Sequence, residues 1–385
     1  QVVWGETDFF AANDLVHGFD YTWRSFLETS NEELRKANII AKLNVDVPEL
    51  DGGVEMFVRP GWDRKSDIGT ELDVYGGRWS SQSVAGTDFR NIDPYDFRNT
   101  KGNAREVTGG VRWTGLAHDI NYSVSYLKTF WPNPMLNAAS TLKLLGLPGT
   151  PSGATTVGRS DSLGVAGDLI YPTVDVYGAT ASGYATWADA VFSTEVALIK
   201  DAPYQFQNGP LAGSLSQAVA PGFDGIKRKD LLAWMVRMDK NIAATQSLLG
   251  TEKPMFFSVQ LFDKWLMNYD KGERLLNAVG AGQLTKEHSL LLTAIFDFSY
   301  DSGRIKPNLV VGTDLTYGGG FIVPSVTMEL NKNWRWKMEY DKFWDDEYRD
   351  LSKCPAGNVA VCDSASIFGY FHRRDQLYTS LTYLF

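Results

Sequence analysis

The chain contains four histidines, the side chains that most often act as general acids or bases near neutral pH. They are His17, His118, His288 and His372. None stands in a recognisable motif with a serine or an aspartate, and the Gly-x-Ser-x-Gly pattern of serine hydrolases is absent. We therefore expect surface histidines rather than an active site, and we expect that the protein is not an enzyme.

The two cysteines, Cys354 and Cys362, flank a polar turn in the stretch KCPAGNVAVCD. A zinc site needs about four ligands, and only His372 is close to the cysteines in sequence. We expect neither a metal nor another cofactor. The spacing favours a local disulfide that closes a small surface loop, which implies an oxidising compartment. The alternative is a pair of unpaired thiols.

Sixteen charged residues occupy alternate positions in stretches that are otherwise largely apolar or small, so we assign them to one face of an extended chain. They are Lys42, Asp46, Glu55, Arg59, Glu106, Arg112, Glu195, Arg237, Asp239, Lys264, Asp297, Glu329, Arg335, Lys337, Glu339 and Asp341. Both signs are interspersed, whereas a strongly selective channel would show a ladder of one sign. Two interpretations stay open: a network of ion pairs and water that fills a barrel, or the lining of a pore with weak charge selectivity.

The elements that position these charges are predicted to be strands, because apolar and polar residues alternate with period two. In WRWKMEYDKFW (334–344), for example, Trp334, Trp336, Met338 and Tyr340 alternate with charged residues. Most such segments are longer than the usual strand of about 5–6 residues. About 14 strands are predicted, near 1–7, 37–48, 53–62, 104–114, 119–130, 170–183, 188–200, 229–242, 254–267, 287–301, 304–316, 321–330, 334–345 and 375–385.

The connections between the predicted strands alternate in length. Short ones such as ELDGG and NKN carry the Gly and Asn residues that suit tight hairpins. Long ones lie near 8–36, 63–103, 131–169, 201–228, 268–286 and 346–374. This rhythm predicts a single domain, residues 1–385, folded as an all-β, up-and-down antiparallel barrel with one elaborate end and one tight end.

Composition is consistent with a membrane barrel and argues against two other classes. The 385 residues are 44% apolar and 13% aromatic, and mean hydropathy is −0.22. No run approaches the roughly 20 apolar residues of a membrane-spanning helix. The net charge of −9 and the pI of about 5.1 make nucleic acid an unfavourable partner, because phosphate binding requires a basic surface.

A soluble barrel and a membrane barrel would direct the same alternating faces in opposite directions. Large aromatic residues near strand ends, such as Trp334, Trp344 and Tyr300, favour the membrane barrel. A soluble barrel of so many strands would also enclose more space than its side chains can fill. We therefore predict a transmembrane β-barrel with extracellular long loops and periplasmic short turns. Lipid does not tolerate an open sheet edge, so the last strand is expected to pair with the first.

The final stretch, LYTSLTYLF, resembles the C-terminal signal that the assembly machinery of Gram-negative outer membranes recognises in its barrels. The positions that carry this resemblance are Leu381, Tyr383 and Phe385. It implies localisation in the outer membrane of a Gram-negative bacterium, and the barrel-assembly machinery as a partner.

Three stretches carry a second resemblance: QVVWGETDFF, the following NDLV, and residues 176–206. They are similar to a family of proteobacterial outer-membrane proteins of unknown function. The matching positions are Trp4, Gly5, Glu6, Gly178, Glu195 and Pro203. Family members carry sequence before the QVV strand, which makes 16 strands the alternative to 14. The family is often found beside efflux-type transporters and periplasmic lipid-handling proteins.

Two functions from different classes follow. The first is a porin-like channel for passive passage of small molecules, including hydrophobic or amphipathic ones. The second is a plugged barrel that acts as a structural or interaction protein and docks a periplasmic or cell-surface partner. The apolar loops 134–156 and 207–225 are candidates for a constriction. An inward-folded loop at 134–156 favours a substrate channel, whereas a wide polar lumen favours a general porin. A closed lumen with an exposed patch on the loops favours the interaction protein. Outer-membrane lipid, lipopolysaccharide and periplasmic transport proteins are the expected partners.

Overall fold

The computed structural model describes residues 2–6, 12–17, 35, 38–60, 107–131, 135–136, 169–170, 172–206, 224–278, 281–345, 368 and 375–385. The strands within these residues are β1 (Ala41–Val47), β2 (Gly52–Arg59), β3 (Thr108–Ala117), β4 (Ile120–Phe130), β5 (Met135–Leu136), β6 (Leu169–Ile170), β7 (Thr173–Ala185), β8 (Ala190–Phe206), β9 (Ile226–Ile242), β10 (Met255–Leu266), β11 (Leu275–Ala278), β12 (Ala281–Leu284), β13 (His288–Asp297), β14 (Ile305–Asp314), β15 (Gly320–Glu329), β16 (Trp334–Trp344) and β17 (Gln376–Tyr383). The described helices are α1 (Ala244–Leu249) and two single 3-10 turns, Pro48–Leu50 and Lys271–Glu273. No helix in this part of the chain is long and apolar enough to cross a membrane.

Fifteen of these strands form one sheet, and β5 and β6 form a separate pair. The main path is β1-β2-β3-β4-β7-β8-β9-β10-β13-β14-β15-β16-β17, and all its neighbours pair antiparallel. The β11–β12 hairpin attaches to the end of β8, within the predicted 268–286 connection. The predicted all-β, up-and-down arrangement is confirmed, and every predicted strand except the first corresponds to a strand of this path.

The predicted short connections are tight turns. Between β3 and β4, His118 and Asp119 have φ of 51° and 62°, the positive values that a type I′ hairpin requires. The longer β9–β10 connection contains α1, which ends at Gly250 with a φ of 66°. The Thr245 hydroxyl there accepts a hydrogen bond from the Met255 backbone N–H at 3.0 Å, so the connection folds back onto β10.

The first predicted strand, residues 1–7, is wrong. Residues 2–6 form no strand and lie against the sheet instead. Val2 and Trp4 alternate with less buried residues, as the pattern suggested, but they are buried by packing on the sheet. Period two shows that a segment is extended and one-sided, and it does not show that the segment joins a hydrogen-bonded ladder.

The expected closure of the sheet is also absent among the described strands, because β1 and β17 do not pair. Neighbours in an antiparallel sheet alternate in direction, so the first and last strands of a path with an odd number of strands run the same way. Antiparallel closure therefore needs an odd number of further strands between them. The segment that was predicted to supply this strand lies across the sheet.

Register defines the two faces of the sheet, because directly opposed residues of paired strands point to the same side. Successive partners on one side are Asn44, Glu55, Arg112, Ser125, Gly178 and Ala197. Glu195 lies two residues before Ala197 in β8 and shares this side, which we call the Glu195 face. The opposite side is the Val196 face.

The Val196 face carries large apolar side chains that are exposed. Val124 is 52% exposed, Val236 46% and Leu381 59%. Met338 and Tyr340 of β16 are also exposed on this face. A sheet in water normally buries its apolar side, so this arrangement is the reverse of that in a soluble protein.

The polarity of the Val196 face changes toward the long-connection ends of β4, β7, β8 and β9. There Lys128 pairs in register with Asp175, and Asp175 with Lys200. Lys200 forms an ion pair with Asp230 of β9. These four residues, one from each strand and alternating in sign, are called the charged row.

At the level of the charged row, the Glu195 face changes from polar to apolar. Leu127, Val176, Ile199 and Leu231 are successive register partners there, and each directly precedes or follows a member of the charged row in sequence. All four are buried and belong to the main apolar cluster of the molecule. We call them the apolar row. The two halves of β4 and β7–β9 therefore have inverted polarity.

Candidate functional site

A segment of the chain crosses the Glu195 face and is held there by the side chains of several strands. It comprises residues 2–6 and 12–17, and we call these two stretches the strap. No strap residue belongs to a strand. Its described contacts reach β2, β3, β4, β7, β8 and β9.

Glu195 is the residue that binds the strap most extensively. Its carboxylate accepts backbone hydrogen bonds from Glu6 at 2.7 Å, Ala12 at 3.1 Å and Asn13 at 2.5 Å. The side chain is fully buried. Three N–H donors compensate the cost of burying this carboxyl group, which would otherwise be large. β8 thus presents a buried acceptor whose described partners are backbone groups of the strap.

Arg237 of β9 also binds this part of the strap. Its guanidinium donates to the Glu6 carbonyl oxygen at 3.2 Å and to Asp239 at 2.8 Å. Glu6 is therefore held through both its N–H and its C=O, by two adjacent strands. Neither contact uses the Glu6 side chain, so the binding depends on the path of the strap backbone.

Trp4 is the deepest side chain of the strap, with 1% of its surface exposed. Its indole N–H donates to Glu55 of β2, which also pairs with Lys42 of β1. The ring packs edge-on against Phe57, with centroids 5.2 Å apart. Arg112 lies over the same indole at 5.8 Å and donates to the Val3 carbonyl oxygen at 3.3 Å.

Two glycines make room for the strap in the wall of the sheet. A Cβ atom at Gly178 would lie 1.9 Å from the Asn13 side-chain oxygen, and one at Gly110 would lie 2.6 Å from the Trp4 ring. No real Cβ tolerates such separations. The Asn13 amide nitrogen donates to the backbone oxygens of Val196 at 3.3 Å and Ala179 at 3.5 Å. The sheet surface is therefore shaped to the strap.

The second stretch of the strap is held toward the long-connection ends of the strands. Thr129 donates to the Leu15 carbonyl at 2.9 Å, and Arg59 donates to that of Val16 at 3.2 Å. His17 accepts a hydrogen bond from the Val2 backbone N–H at 3.1 Å, which links the two stretches. His17, predicted as a surface histidine in a loop, is therefore buried within the strap.

Register places fifteen of the sixteen predicted inward charges on the Glu195 face, and Glu106 lies outside the described residues. Several form ion pairs of opposite sign: Lys42 with Glu55, Arg237 with Asp239 at 2.8 Å, Lys337 with Glu339 at 2.8 Å, and Glu329 with Arg335 at 3.9 Å. Charge on this face is thus largely balanced between neighbours.

The remaining candidate residues lie apart from the strap. On the Val196 face, His288 stacks on Trp265 and its Nδ1 lies 2.8 Å from an Asp263 carboxylate oxygen. No cluster of three or more His, Cys, Asp or Glu side chains that could hold a metal was found among the described residues. Cys354, Cys362 and His372 lie outside those residues, as do most of the loops 134–156 and 207–225. The predicted disulfide stays a prediction.

Leu381 and Tyr383, two positions of the predicted assembly signal, lie on the Val196 face. Leu381 and Tyr383 oppose Trp336 and Trp334 in register. Phe385 follows β17, and its ring packs edge-on against Tyr383 at 5.0 Å. The three positions of the predicted assembly signal thus share one exposed aromatic and aliphatic edge.

Sequence reasoning missed the strap and the apolar row, although one signal indicated the strap. The family resemblance picked out Trp4, Gly5, Glu6, Gly178 and Glu195 without any geometry. The structure brings Gly5 and Glu6 to Glu195, and Asn13 to Gly178. Pro203, the sixth matched position, lies farther along β8 opposite Arg228.

A single antiparallel sheet of successive neighbours, exposed and apolar on one side and charged on the other, defines a large all-β protein whose architecture is compatible with an outer-membrane β-barrel. The chain belongs to the family described as "Protein of unknown function (DUF1302)", which matches residues 1–385. The predicted membership in a family of unknown function is confirmed to that extent. A search of curated proteins found no match.

Proposed function

We propose that the protein is an outer-membrane β-barrel channel for passive passage of small molecules, including hydrophobic or amphipathic ones. The observation that carries this proposal is the inverted polarity of the sheet. Exposed side chains such as Val124, Val236 and Leu381 need an apolar solvent, and the charges of the Glu195 face need an aqueous one. Lipid outside and a watery lumen inside satisfy both faces.

The charged row supports this orientation and indicates where the bilayer ends. Lys128, Asp175, Lys200 and Asp230 cross four strands at one level, and the exposed Val124 and Val236 lie nearer the short turns. Charged side chains are costly in the hydrocarbon region and suit the interface. In β4, β7, β8 and β9, the proposed membrane-embedded part is therefore the half of the strand next to the short turns.

Mixed charge on the Glu195 face favours a pore with weak ion selectivity. Arg237 with Asp239 and Lys337 with Glu339 are neighbours of opposite sign. Such pairs set local fields across a lumen without a net preference for cations or anions. In this proposal, the fifteen described charges of the face are lumen-lining residues, and catalysis is not part of the function.

Single-channel conductance of the purified protein in planar bilayers tests the proposal, with reversal potentials measured in a salt gradient. We expect discrete current steps and a reversal potential close to zero. Charge reversal at Asp297, an exposed residue of the Glu195 face, is then expected to shift the reversal potential. Silence from folded, membrane-inserted protein under all conditions would exclude the channel.

The second candidate function is a plugged barrel that docks a periplasmic or cell-surface partner. The observation that favours it is the strap, which covers the Glu195 face from β2 to β9. A permanently seated strap would leave a silent barrel with a normal fold. Conductance therefore discriminates directly between the two candidates.

The proposed location is the outer membrane of a Gram-negative bacterium. Lipid and lipopolysaccharide would cover the Val196 face, and the barrel-assembly machinery would read Leu381, Tyr383 and Phe385. Periplasmic transport proteins are the proposed soluble partners, and nucleic acid is not. Fractionation of inner and outer membranes, with and without Phe385→Ala, tests location and signal together. We expect outer-membrane recovery to fall in the variant.

A further inference from the structure

We propose that the strap is a displaceable closing element of the channel, and that Glu195 is the latch that holds it. This inference rests on the proposed channel function and adds its regulation. The strap takes no part in a strand ladder, and the described grip consists mainly of side chains that hold its backbone.

The latch is concentrated at one residue. Glu195 alone accepts hydrogen bonds from Glu6, Ala12 and Asn13, which lie on both stretches of the strap. Because one carboxylate binds both stretches, its loss weakens the hold on both of them together. A plug held by many equivalent contacts would instead loosen gradually. The structure thus concentrates three hydrogen bonds, from both stretches of the strap, in a single carboxylate that water can solvate after release.

The wall beneath the strap is suited to two states. Gly178 leaves the space that the Asn13 side chain occupies, and the charged groups of Glu195 and Arg237 lie beside it. When the strap leaves, these groups regain water in a polar lumen, which offsets part of the lost hydrogen bonding. A wall made only of apolar residues would gain nothing comparable.

The strap lies across the face that lines the proposed lumen. Its described contacts run over six adjacent strands of the Glu195 face, next to the buried apolar row. Val2, Trp4, Ala12 and Val16 belong to the same apolar cluster as that row. A seated strap therefore covers this side of the proposed lumen, and its removal would uncover the polar groups of Glu195 and Arg237 beside apolar side chains of the cluster.

Two variants and one matched control test the latch. Glu195→Gln places an amide donor in a position that now accepts three N–H groups. Gly178→Ala places a methyl group where the Asn13 side chain lies. Gly183→Ala is the control, because it adds the same methyl group to the same strand on the Val196 face, at 3.3 Å from the Ile120 side chain.

Strap position and current are measured separately in these variants. Strap position is read from the rate at which Ala12→Cys reacts with a charged, water-soluble thiol reagent, in a background with Cys354→Ser and Cys362→Ser. Ala12 is 4% exposed when the strap is seated. Loss of a charged hydrogen-bond acceptor is expected to raise the rate about tenfold or more. Gly178→Ala should do the same, and Gly183→Ala should leave the rate unchanged.

The open fraction in planar bilayers is the second measurement, and folding is checked by heat-modifiable mobility on gels. We expect the open fraction to rise with the labelling rate in Glu195→Gln and Gly178→Ala. Faster labelling with a current equal to that of the parent would overturn the gate and leave the channel standing. Faster labelling of the variants, with no current from the parent or from any variant, would overturn both the gate and the channel. Unchanged labelling in both variants would show that Glu195 is not a latch.

Discussion

The two halves of β4, β7, β8 and β9 have opposite polarity, although each strand is continuous. Near the short turns, the Val196 face is apolar and the Glu195 face carries Glu195 and Arg237. At the level of the charged row, the residues of the Val196 face are Lys and Asp, and those of the Glu195 face are Leu, Val and Ile. The first half resembles a membrane barrel, and the second resembles a soluble sheet with a core.

This difference shows that alternation by itself does not define the inside of the molecule. A strand can keep a strict period of two while its apolar side changes from one face of the sheet to the other, where its surroundings change. The strap lies where the two halves meet, because Glu195 holds it on the polar side while Val2 and Val16 join the apolar cluster. The halves can therefore be tested separately with substitutions of the same kind.

The largest effect is expected from a carboxylate in the apolar row. Val176→Asp would bury an unpaired charge at a residue that is 1% exposed. We expect a loss of about 4 kcal/mol in the free energy of unfolding, the magnitude of an uncompensated buried charge. Urea titration of protein folded into lipid vesicles measures it. Val176→Ala is the control for lost packing, and equal effects of the two substitutions would show that water reaches the row.

A smaller effect is expected on the Val196 face of the other half, next to the short turns. Val196→Arg would place a cation on the face proposed to contact lipid. Its expected cost is about 2 kcal/mol, and depends on depth in the bilayer. The same titration in vesicles measures it, and thinner bilayers should reduce the cost. Val191→Arg serves as a comparison on the same strand, because Val191 lies on the Glu195 face opposite Asp239. If Val196→Arg were neutral in vesicles, the Val196 face would not contact lipid.

Most of the sheet could be predicted from sequence because its signals are local. WRWKMEYDKFW repeats its pattern over a whole strand, and β16 spans Trp334–Trp344. The phase of the inward charges was equally predictable, since one-residue errors would exchange faces throughout a strand. Short turns such as the one at His118 and Asp119 were recognisable because only a hairpin fits between two alternating segments.

The strap could not be predicted because its pattern is the same as that of a strand. Val2 and Trp4 alternate in both cases, and the difference lies in which groups satisfy the backbone of residues 2–6. Those partners include Glu195, Arg237 and Arg112, which lie far away in sequence, and His17 in the other stretch of the strap. The apolar row was hidden for a related reason, since Val174 and Val176 alternate with Asp175 and Tyr177 as any amphipathic strand would.

The smallest effect concerns the hydrogen bond between Tyr126 and Asp175 at the charged row. The Tyr126 hydroxyl donates to an Asp175 carboxylate oxygen at 2.6 Å, on the Val196 face. A double-mutant cycle with Tyr126→Phe and Asp175→Asn isolates the coupling between them. If the row lies in water, we expect a coupling of about 0.5–1 kcal/mol.

The same cycle tests the level at which the polarity changes. A hydrogen bond to a carboxylate in a medium of low dielectric constant is stronger, because water no longer competes for either group. A coupling well above 2 kcal/mol would therefore place the row within the hydrocarbon region. The charged row would then not mark the boundary between the hydrocarbon region and water. The apolar row on the other face could no longer be explained as a core outside the membrane. A weak coupling would support the boundary, since water competes for both groups at an exposed site.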